Sequence, residues 1–206
     1  MTVRLLLTSG LLTRGSRRFP IFQCLQGFFL IAGILVLSYA AYTYAARYVF
    51  QSVESWKFRR GPARSSGRSA PEPVAEPVLM IAIPGLRIAA MVREGVDHRT
   101  LNLAIGHIPS TALPGRAGNV GLAAHRDTLF RGLKDVRQDD EITLSTLDRD
   151  YTYRVVWYKV VRPTAVDLLE PVAGEETLTL VTCYPFYFVG NAPNRFIVRA
   201  RRVHMP

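Results

Sequence analysis

The stretch TLTLVTCYPF, residues 177–186, carries the clearest structural signal in this sequence. Polar and apolar residues alternate over most of its first six positions, and four of those six are β-branched, which is typical of a β-strand. Pro185 cannot donate a hydrogen bond to a sheet, so the strand should stop close to it. The sequence therefore predicts a strand that ends at Cys183, which is the only cysteine in the C-terminal two-thirds of the chain.

Other short strands are predicted on both sides of this stretch, separated by turns rich in proline, glycine, asparagine and aspartate. Short strands at such spacing favour an all-β fold, here a closed or nearly closed β-barrel. Residues 100–105 and 129–136 are predicted to be helical. The remaining predicted strands cover residues 78–83, 119–125, 141–146, 151–161 and 195–203.

Positive charge is unevenly distributed along the 206 residues, whose net charge is +10. Residues 1–77 contain ten Lys/Arg and three Asp/Glu, whereas residues 78–206 contain sixteen and thirteen. The excess therefore belongs mainly to the N-terminal part. A nucleic-acid-binding domain needs a basic surface of its own, so this function is disfavoured.

Residues 19–48 are predicted to form a membrane segment with one transmembrane helix. No charged residue lies between Arg18 and Arg47, and residues 28–46 read FFLIAGILVLSYAAYTYAA. The uncharged run exceeds the roughly 20 residues that a spanning helix needs. A cleaved signal peptide is the alternative, but its apolar region is usually only about 7–15 residues long. The sequence thus favours an uncleaved anchor.

The membrane segment divides the rest of the chain. Residues 1–18 are predicted to form a basic N-terminal segment, residues 49–77 a flexible, basic and proline-rich linker, and residues 78–206 a folded C-terminal domain. Two arginines stand immediately before the span and one immediately after it. The positive-inside rule then leans weakly towards a cytoplasmic N-terminus.

Three polar residues lie at predicted strand ends, where neighbouring strands of a barrel converge: Cys183, His125 and Arg195. A catalytic cysteine acts as a thiolate, and a free thiol with a pKa of about 8.5 needs a nearby cation or base at neutral pH. The three could thus form a nucleophilic site. The alternative is that the cysteine is a small buried apolar residue and the histidine is structural.

Neither a disulfide nor a metal site is expected. Cys24 lies in the apolar N-terminal run, which makes it an improbable partner for Cys183. His107 has no Asp, Glu or Cys at ligand spacing, so it is predicted to be structural.

Several segments resemble the sortases, which are membrane-anchored cysteine transpeptidases. TLVTC at 179–183 is similar to their cysteine signature, NVGLAAHRDTLFRGL at 119–133 to their histidine segment, and APNRFIVRA at 192–200 to their arginine segment. GHIPSTALPGRAGN at 106–119 resembles the preceding stretch in class D and class E sortases. The resemblance extends from about Val78 to Val203, and its three motifs occur in the family's order.

The resemblance implies a role for each matching residue. Cys183 would attack a threonine carbonyl in a sorting signal of the Leu-Pro-x-Thr-Gly type. His125 would protonate the leaving amine and later deprotonate the incoming one. Arg195 would bind the oxyanion or the substrate backbone. The substrate-binding residues would be Thr182, Ala124 and Asn194, and Ala124 departs from the family, which often has glycine there.

The resemblance also implies the surroundings of the enzyme. No cofactor and no metal are expected. The partners would be membrane lipid, secreted proteins bearing the sorting signal, and an amine acceptor in the cell-wall peptide or a pilin. The catalytic domain would lie outside the cell. Two alternatives stay open: a hydrolytic cysteine peptidase with the same site, and a membrane-tethered β-barrel binding module without catalysis.

Overall fold

The structure is a computed structural model, and it describes residues 19–60, 79–172, 174–188 and 190–203. The chain forms two compact units, which divide between Tyr44 and Ala45. The first holds most of one long helix, and the second holds the end of that helix and the barrel.

Helix α1 runs from Phe19 to Arg60. Its part from Phe22 to Trp56 contains an 18-residue window with a mean hydropathy of 2.0, and the helix is long and apolar enough to cross a membrane. Residues 49–60 are helical, although the sequence analysis assigned them to the linker. The hydropathy falls there, but the first helix-breaking pair is Gly61-Pro62, so backbone preference lets the helix continue. Residues 1–18 and 61–77 lie outside the described residues.

Eight strands form a closed barrel in the order β1-β2-β3-β4-β7-β8-β6-β5, which confirms the predicted fold class. The β2–β3 and β4–β7 pairs are parallel, and the other neighbours are antiparallel. The strands are β1 Leu79–Ile83, β2 Ile88–Glu94, β3 Ile105–His107, β4 Gly118–Ala123, β5 Glu141–Ser145, β6 Asp150–Val161, β7 Glu176–Tyr184 and β8 Asn194–Arg202.

Two strands, β2 and β3, were not predicted. β2 reads IAAMVRE and lacks the alternation of a half-buried strand, because four of its seven residues are buried and they include three in succession. β3 is only three residues long and entirely buried. Helix α2 spans His98–Leu103, and residues 131–135 form a 3-10 turn rather than an α-helix. Further 3-10 turns lie at Pro84–Leu86 and Val166–Leu169.

Alternation along β7 and β8 separates the core from an outer face. Leu178, Leu180 and Val198 point into the barrel and are completely buried. Burial of each such side chain stabilises the fold by about 1.5–3 kcal/mol. Because successive side chains point to opposite faces of a strand, Cys183 and Arg195 lie on the outer face.

Candidate active site

Cys183 and Arg195 are cross-strand partners near one end of the β7–β8 pair. Directly opposed residues of an antiparallel pair have their Cβ atoms about 4.5–5.5 Å apart and share one face of the sheet. Cys183 is a free, half-buried thiol. The fold therefore gives the thiol a guanidinium-bearing neighbour on the same surface.

His125 reaches the same end of the sheet from β4, which runs parallel to β7. The last paired positions are Ala123 and Val181, and the Ala124 amide then donates to the Val181 carbonyl at 3.2 Å. His125 follows two residues after Ala123, the end of β4, as Cys183 follows two residues after Val181 on β7. The three predicted residues thus meet at one end of three adjacent strands.

The turn that follows His125 fixes its backbone. The His125 carbonyl accepts hydrogen bonds from the amides of Thr128, at 3.4 Å, and Phe130, at 3.2 Å. Phe130 is completely buried and belongs to the main core. The core therefore holds the strand end that carries the imidazole.

Thr182 and Ala124 lie on the side of the strands opposite to Cys183, not in a groove beside it. Thr182 is 2% exposed, and its hydroxyl donates to the Ala124 carbonyl at 2.8 Å. Ala124 is itself packed in the core. Because neighbouring residues on a strand face opposite ways, both side chains face the core, and the substrate-binding role expected of them stays a prediction. The Ala124 methyl affects packing behind the site.

Asn194 is the first residue of β8 and pairs with Tyr184. Its carbonyl accepts a hydrogen bond from Arg195 Nη1 at 3.0 Å, and the Ala192 carbonyl accepts another at 3.2 Å. The backbone before β8 therefore orients the Arg195 side chain. Asn194 contributes its carbonyl to this arrangement.

Burial lowers the pKa of His125 below the ordinary histidine value of 6.5. The charge of Asp127 raises this pKa, while His98, Arg47 and Arg126 lower it. No hydrogen bond of the His125 ring to another described residue is present, so its two nitrogens are available to other groups. A neutral imidazole of this kind can accept a proton near neutral pH.

Arg126 ties the histidine strand to the loop between β7 and β8. Its Nη2 atom donates to the carbonyls of Phe188, at 2.6 Å, and Gly190, at 3.2 Å. Lys134 lies 5.7 Å from the centroid of the Tyr187 ring in the same loop. Arg126 was not among the residues predicted from the sequence, although it directly follows His125.

The other end of the same outer face holds a polar network, in which only Arg199 Nε is buried without a hydrogen-bond partner among the described residues. Asn119 Oδ1 accepts hydrogen bonds from Thr177, at 3.1 Å, and Thr179, at 2.8 Å, and its amide donates to the Leu169 carbonyl at 3.0 Å. Arg199 donates to the Thr177 hydroxyl at 3.1 Å and also to the carbonyl of Leu168. These bonds fasten the 166–169 turn onto the sheet.

His107 has both ring nitrogens engaged. Its Nδ1 atom lies 2.6 Å from Glu94 Oε2, and its Nε2 atom lies 3.1 Å from both the Ala112 carbonyl and the Thr111 hydroxyl. The buried ring links β3 to Glu94 at the end of β2 and to the loop that follows β3. Within residues 19–60, 79–172, 174–188 and 190–203, no group of three or more His, Cys, Asp or Glu residues could hold a metal ion.

Comparison with known families identifies this barrel. The sortase domain family matches residues 81–203, and the chain belongs to the sortase family. It is 33% identical over 124 residues to Sortase D of Bacillus subtilis, covering 60% of this chain and 63% of that protein. It is 30% identical over 124 residues to Sortase SrtE1 of Streptomyces coelicolor, covering 52% of this chain and 35% of that protein. The match thus spans less than two thirds of either relative.

Solved structures resemble the chain over most of its length. A Clostridium perfringens Sortase D5 transpeptidase superposes with a TM-score of 0.65 at 25% identity, covering 78% of this chain and 99% of that one. Sortase A from Corynebacterium diphtheriae, as a lid mutant, gives a TM-score of 0.60 at 26% identity, covering 79% of this chain and 96% of that one. Both support the same family.

Proposed function

We propose that this chain is a cysteine transpeptidase that cleaves a sorting signal after threonine and transfers the acyl group to an amine. Cys183 is the nucleophile, His125 the proton carrier and Arg195 the group that binds the oxyanion or the substrate backbone. Sortase family membership supports the class of reaction. The observation that carries the residue assignment is the pairing of Cys183 with Arg195 beside the end of the strand that holds His125.

In the first step, the Cys183 thiolate attacks the threonine carbonyl, and the carbonyl electrons move to the oxygen. The guanidinium of Arg195 stabilises this oxyanion, because it is permanently charged and offers donors in a planar fork. The carbon–nitrogen bond then breaks, and protonated His125 gives its proton to the departing amine. A thioester to Cys183 remains.

In the second step, an amine attacks the thioester. His125, now neutral, accepts the proton of that amine, and the second oxyanion collapses with release of the Cys183 thiolate. The proton taken by His125 replaces the one given up in the first step, so the enzyme returns to its starting state. Thr182 does not take part in these steps; its hydrogen bond to the Ala124 carbonyl holds the backbone that precedes His125.

The proposed setting is the outer face of a cell membrane. Residues 28–46 of α1 are uncharged and would span about 28 Å as a helix, close to the thickness of the hydrocarbon layer. In this proposal residues 19–48 anchor the chain, its N-terminus is cytoplasmic, and residues 78–206 meet secreted proteins outside. The acceptor is an amine of the cell-wall peptide or of a pilin.

The test is Cys183→Ala in the full-length protein in detergent micelles, with Cys24→Ala as the matched control, because Cys24 is the other free cysteine. Both proteins are incubated with a panel of Leu-Pro-x-Thr-Gly peptides and an added amine, and products and protein adducts are followed by mass spectrometry. Cys183→Ala should give no cleavage and no thioacyl adduct, whereas Cys24→Ala should match the parent.

Retained cleavage in Cys183→Ala would refute the assignment of the nucleophile. The added amine separates transfer from hydrolysis: a transpeptidase gives a product that contains the amine. Only the free acid, at every amine concentration, would mean that the enzyme is a peptidase.

A further inference from the structure

Helix α2 begins beside the candidate site, and its first turn is rigid. Asp97 caps it: Oδ1 accepts hydrogen bonds from the Arg99 amide at 2.8 Å and the Thr100 amide at 3.2 Å, and Oδ2 accepts one from the Thr100 hydroxyl at 2.7 Å. A cap of this kind satisfies amides that have no partner within the helix. His98, the first residue of α2, is thereby held at a defined place.

The His98 ring lies edge-on to the His125 ring, with centroids 6.5 Å apart and an angle of 66° between the planes. Asn102, one turn further along α2, places its amide nitrogen 3.0 Å from His98 Nδ1. Because an amide nitrogen can only donate, Nδ1 accepts and neutral His98 carries its proton on Nε2. The contact with Asn102 therefore selects both the orientation and the tautomer of His98.

The last residues of α1 hold the other end of α2. Arg47 Nε donates to the Asn102 carbonyl at 2.8 Å, and Gln51 Nε2 donates to the Leu103 carbonyl at 2.7 Å. Carbonyls at a helix C-terminus lack partners within the helix, so these bonds cap α2. Gln51 Oε1 also accepts from the Met91 amide of β2 at 2.8 Å. Gln51 thus joins α1, α2 and the barrel.

We propose that His98 is a positioning residue for His125, and that Arg47 and Gln51 hold His98 in place, so that the juxtamembrane end of α1 is a working part of the transferase site. This inference rests on the proposed function of His125. It assigns the end of α1 a role beyond anchoring, because α1 contacts α2, and His98 of α2 contacts His125.

The charges around His98 and His125 determine how readily His125 is protonated. When His98 is protonated, its charge opposes protonation of His125, and the positive charge of Arg47 acts in the same direction. Arg126 also opposes protonation of His125, whereas Asp127 favours it. Cys183 and Arg195 face the same site from β7 and β8. His125 is thus kept available as a proton acceptor at a lower pH than an isolated histidine.

The test measures the His125 ring directly, by NMR titration of histidine-labelled full-length protein in micelles, with the His125 signal assigned through His125→Gln. Exposed His98 can be replaced without loss of core packing. His98→Gln and Arg47→Gln should each move the titration midpoint of His125 upward. Gln51→Ala should move it in the same direction by less, and Arg47→Lys should restore the parent midpoint, because the charge returns.

The matched control is Arg99→Gln, which removes a positive charge from the exposed neighbour of His98 on α2 and should leave the midpoint of His125 unchanged. An unchanged midpoint in both His98→Gln and Arg47→Gln would overturn the inference, and so would an equal shift in Arg99→Gln. The titration needs no turnover. If Cys183→Ala kept its activity, the proposed function would fail, but the titration midpoint of His125 would still show whether His98 and Arg47 act on His125.

Discussion

The outer face of β7 and β8 carries polar side chains at both ends, but their hydrogen bonding differs between the two ends. At one end, Asn119, Thr177 and Arg199 are joined in hydrogen bonds to each other and to the 166–169 turn. At the other end, Cys183 is a free thiol, and the His125 ring makes no hydrogen bond to any described residue. Polar groups that satisfy one another stabilise a fold, whereas polar groups left available can act on a substrate.

After the loss of all cleavage in Cys183→Ala, the largest effect should come from His125→Ala. Without the imidazole the leaving amine departs unprotonated, and general acid–base catalysis typically contributes about 10²–10⁴-fold. Turnover of the peptide substrate should fall by that order, while the unfolding midpoint of the barrel changes little, since His125 is only half-buried. Near-parental turnover with amine transfer would place the proton carrier elsewhere.

The next largest loss of turnover at the Cys183 end of the face should come from Arg195→Lys. Lysine keeps the charge but loses the planar fork, and the loss of one oxyanion donor typically costs on the order of 10²–10³ in turnover. Thioacyl formation should be slow, with little change in the pH profile, as single-turnover measurements would show.

Arg199→Lys is the matched control for Arg195→Lys, since both arginines lie on the same face of β8. Arg199 is 8% exposed and donates to the Thr177 hydroxyl and the Leu168 carbonyl. Its replacement should lower the unfolding midpoint more than the turnover of the folded enzyme. If both variants lost stability and neither lost turnover, Arg195 would be a structural residue like Arg199.

The sequence predicted the barrel because most of its strands show local alternation between polar and apolar residues. β2 lacks that pattern and β3 is only three residues long; the two pair in parallel, Val92 with Ile105, through a connection that local sequence does not encode. Residues 49–60 were assigned to the linker, but they continue α1, because a fall in hydropathy does not by itself end a helix.

Site residues close to strand ends could be predicted from the sequence. Site residues whose position is set by helix contacts could not. Cys183, His125 and Arg195 each lie within two residues of a strand end, so topology brings them to the same end of the sheet. His98 could not be selected, because its position depends on the Asp97 cap and on contacts from α1. Thr182 faces away from Cys183, as the two-residue period of a strand already indicates.

Asn119→Ala should destabilise the network end of the face. It leaves the hydroxyls of Thr177 and Thr179 without their shared acceptor, and each buried unsatisfied group costs about 1–3 kcal/mol. Urea unfolding of the full-length protein should show the loss, and Asn191→Ala, an exposed loop residue, should not. Equal stability of the two variants would mean that water or rearranged side chains satisfy these hydroxyls.

The smallest effect concerns the pH dependence of stability at the other end. The pKa of His125 is lowered in the folded protein, chiefly by burial, so the unfolded chain binds a proton there more readily. Above the ordinary histidine pKa of 6.5 both states are neutral at this residue, and the difference vanishes. As the pH falls below that value, protonation favours the unfolded state, and stability declines.

His125→Gln removes this contribution while the other histidines remain. The unfolding midpoint of the parent should therefore drop more between about pH 7.5 and about pH 5 than that of His125→Gln. The difference should be modest, because the ring is half-exposed and solvent screens its charge. Thermal unfolding followed by near-ultraviolet circular dichroism gives both slopes. Equal slopes would show that His125 titrates alike in both states, and would remove the electrostatic distinction between the two ends of the face.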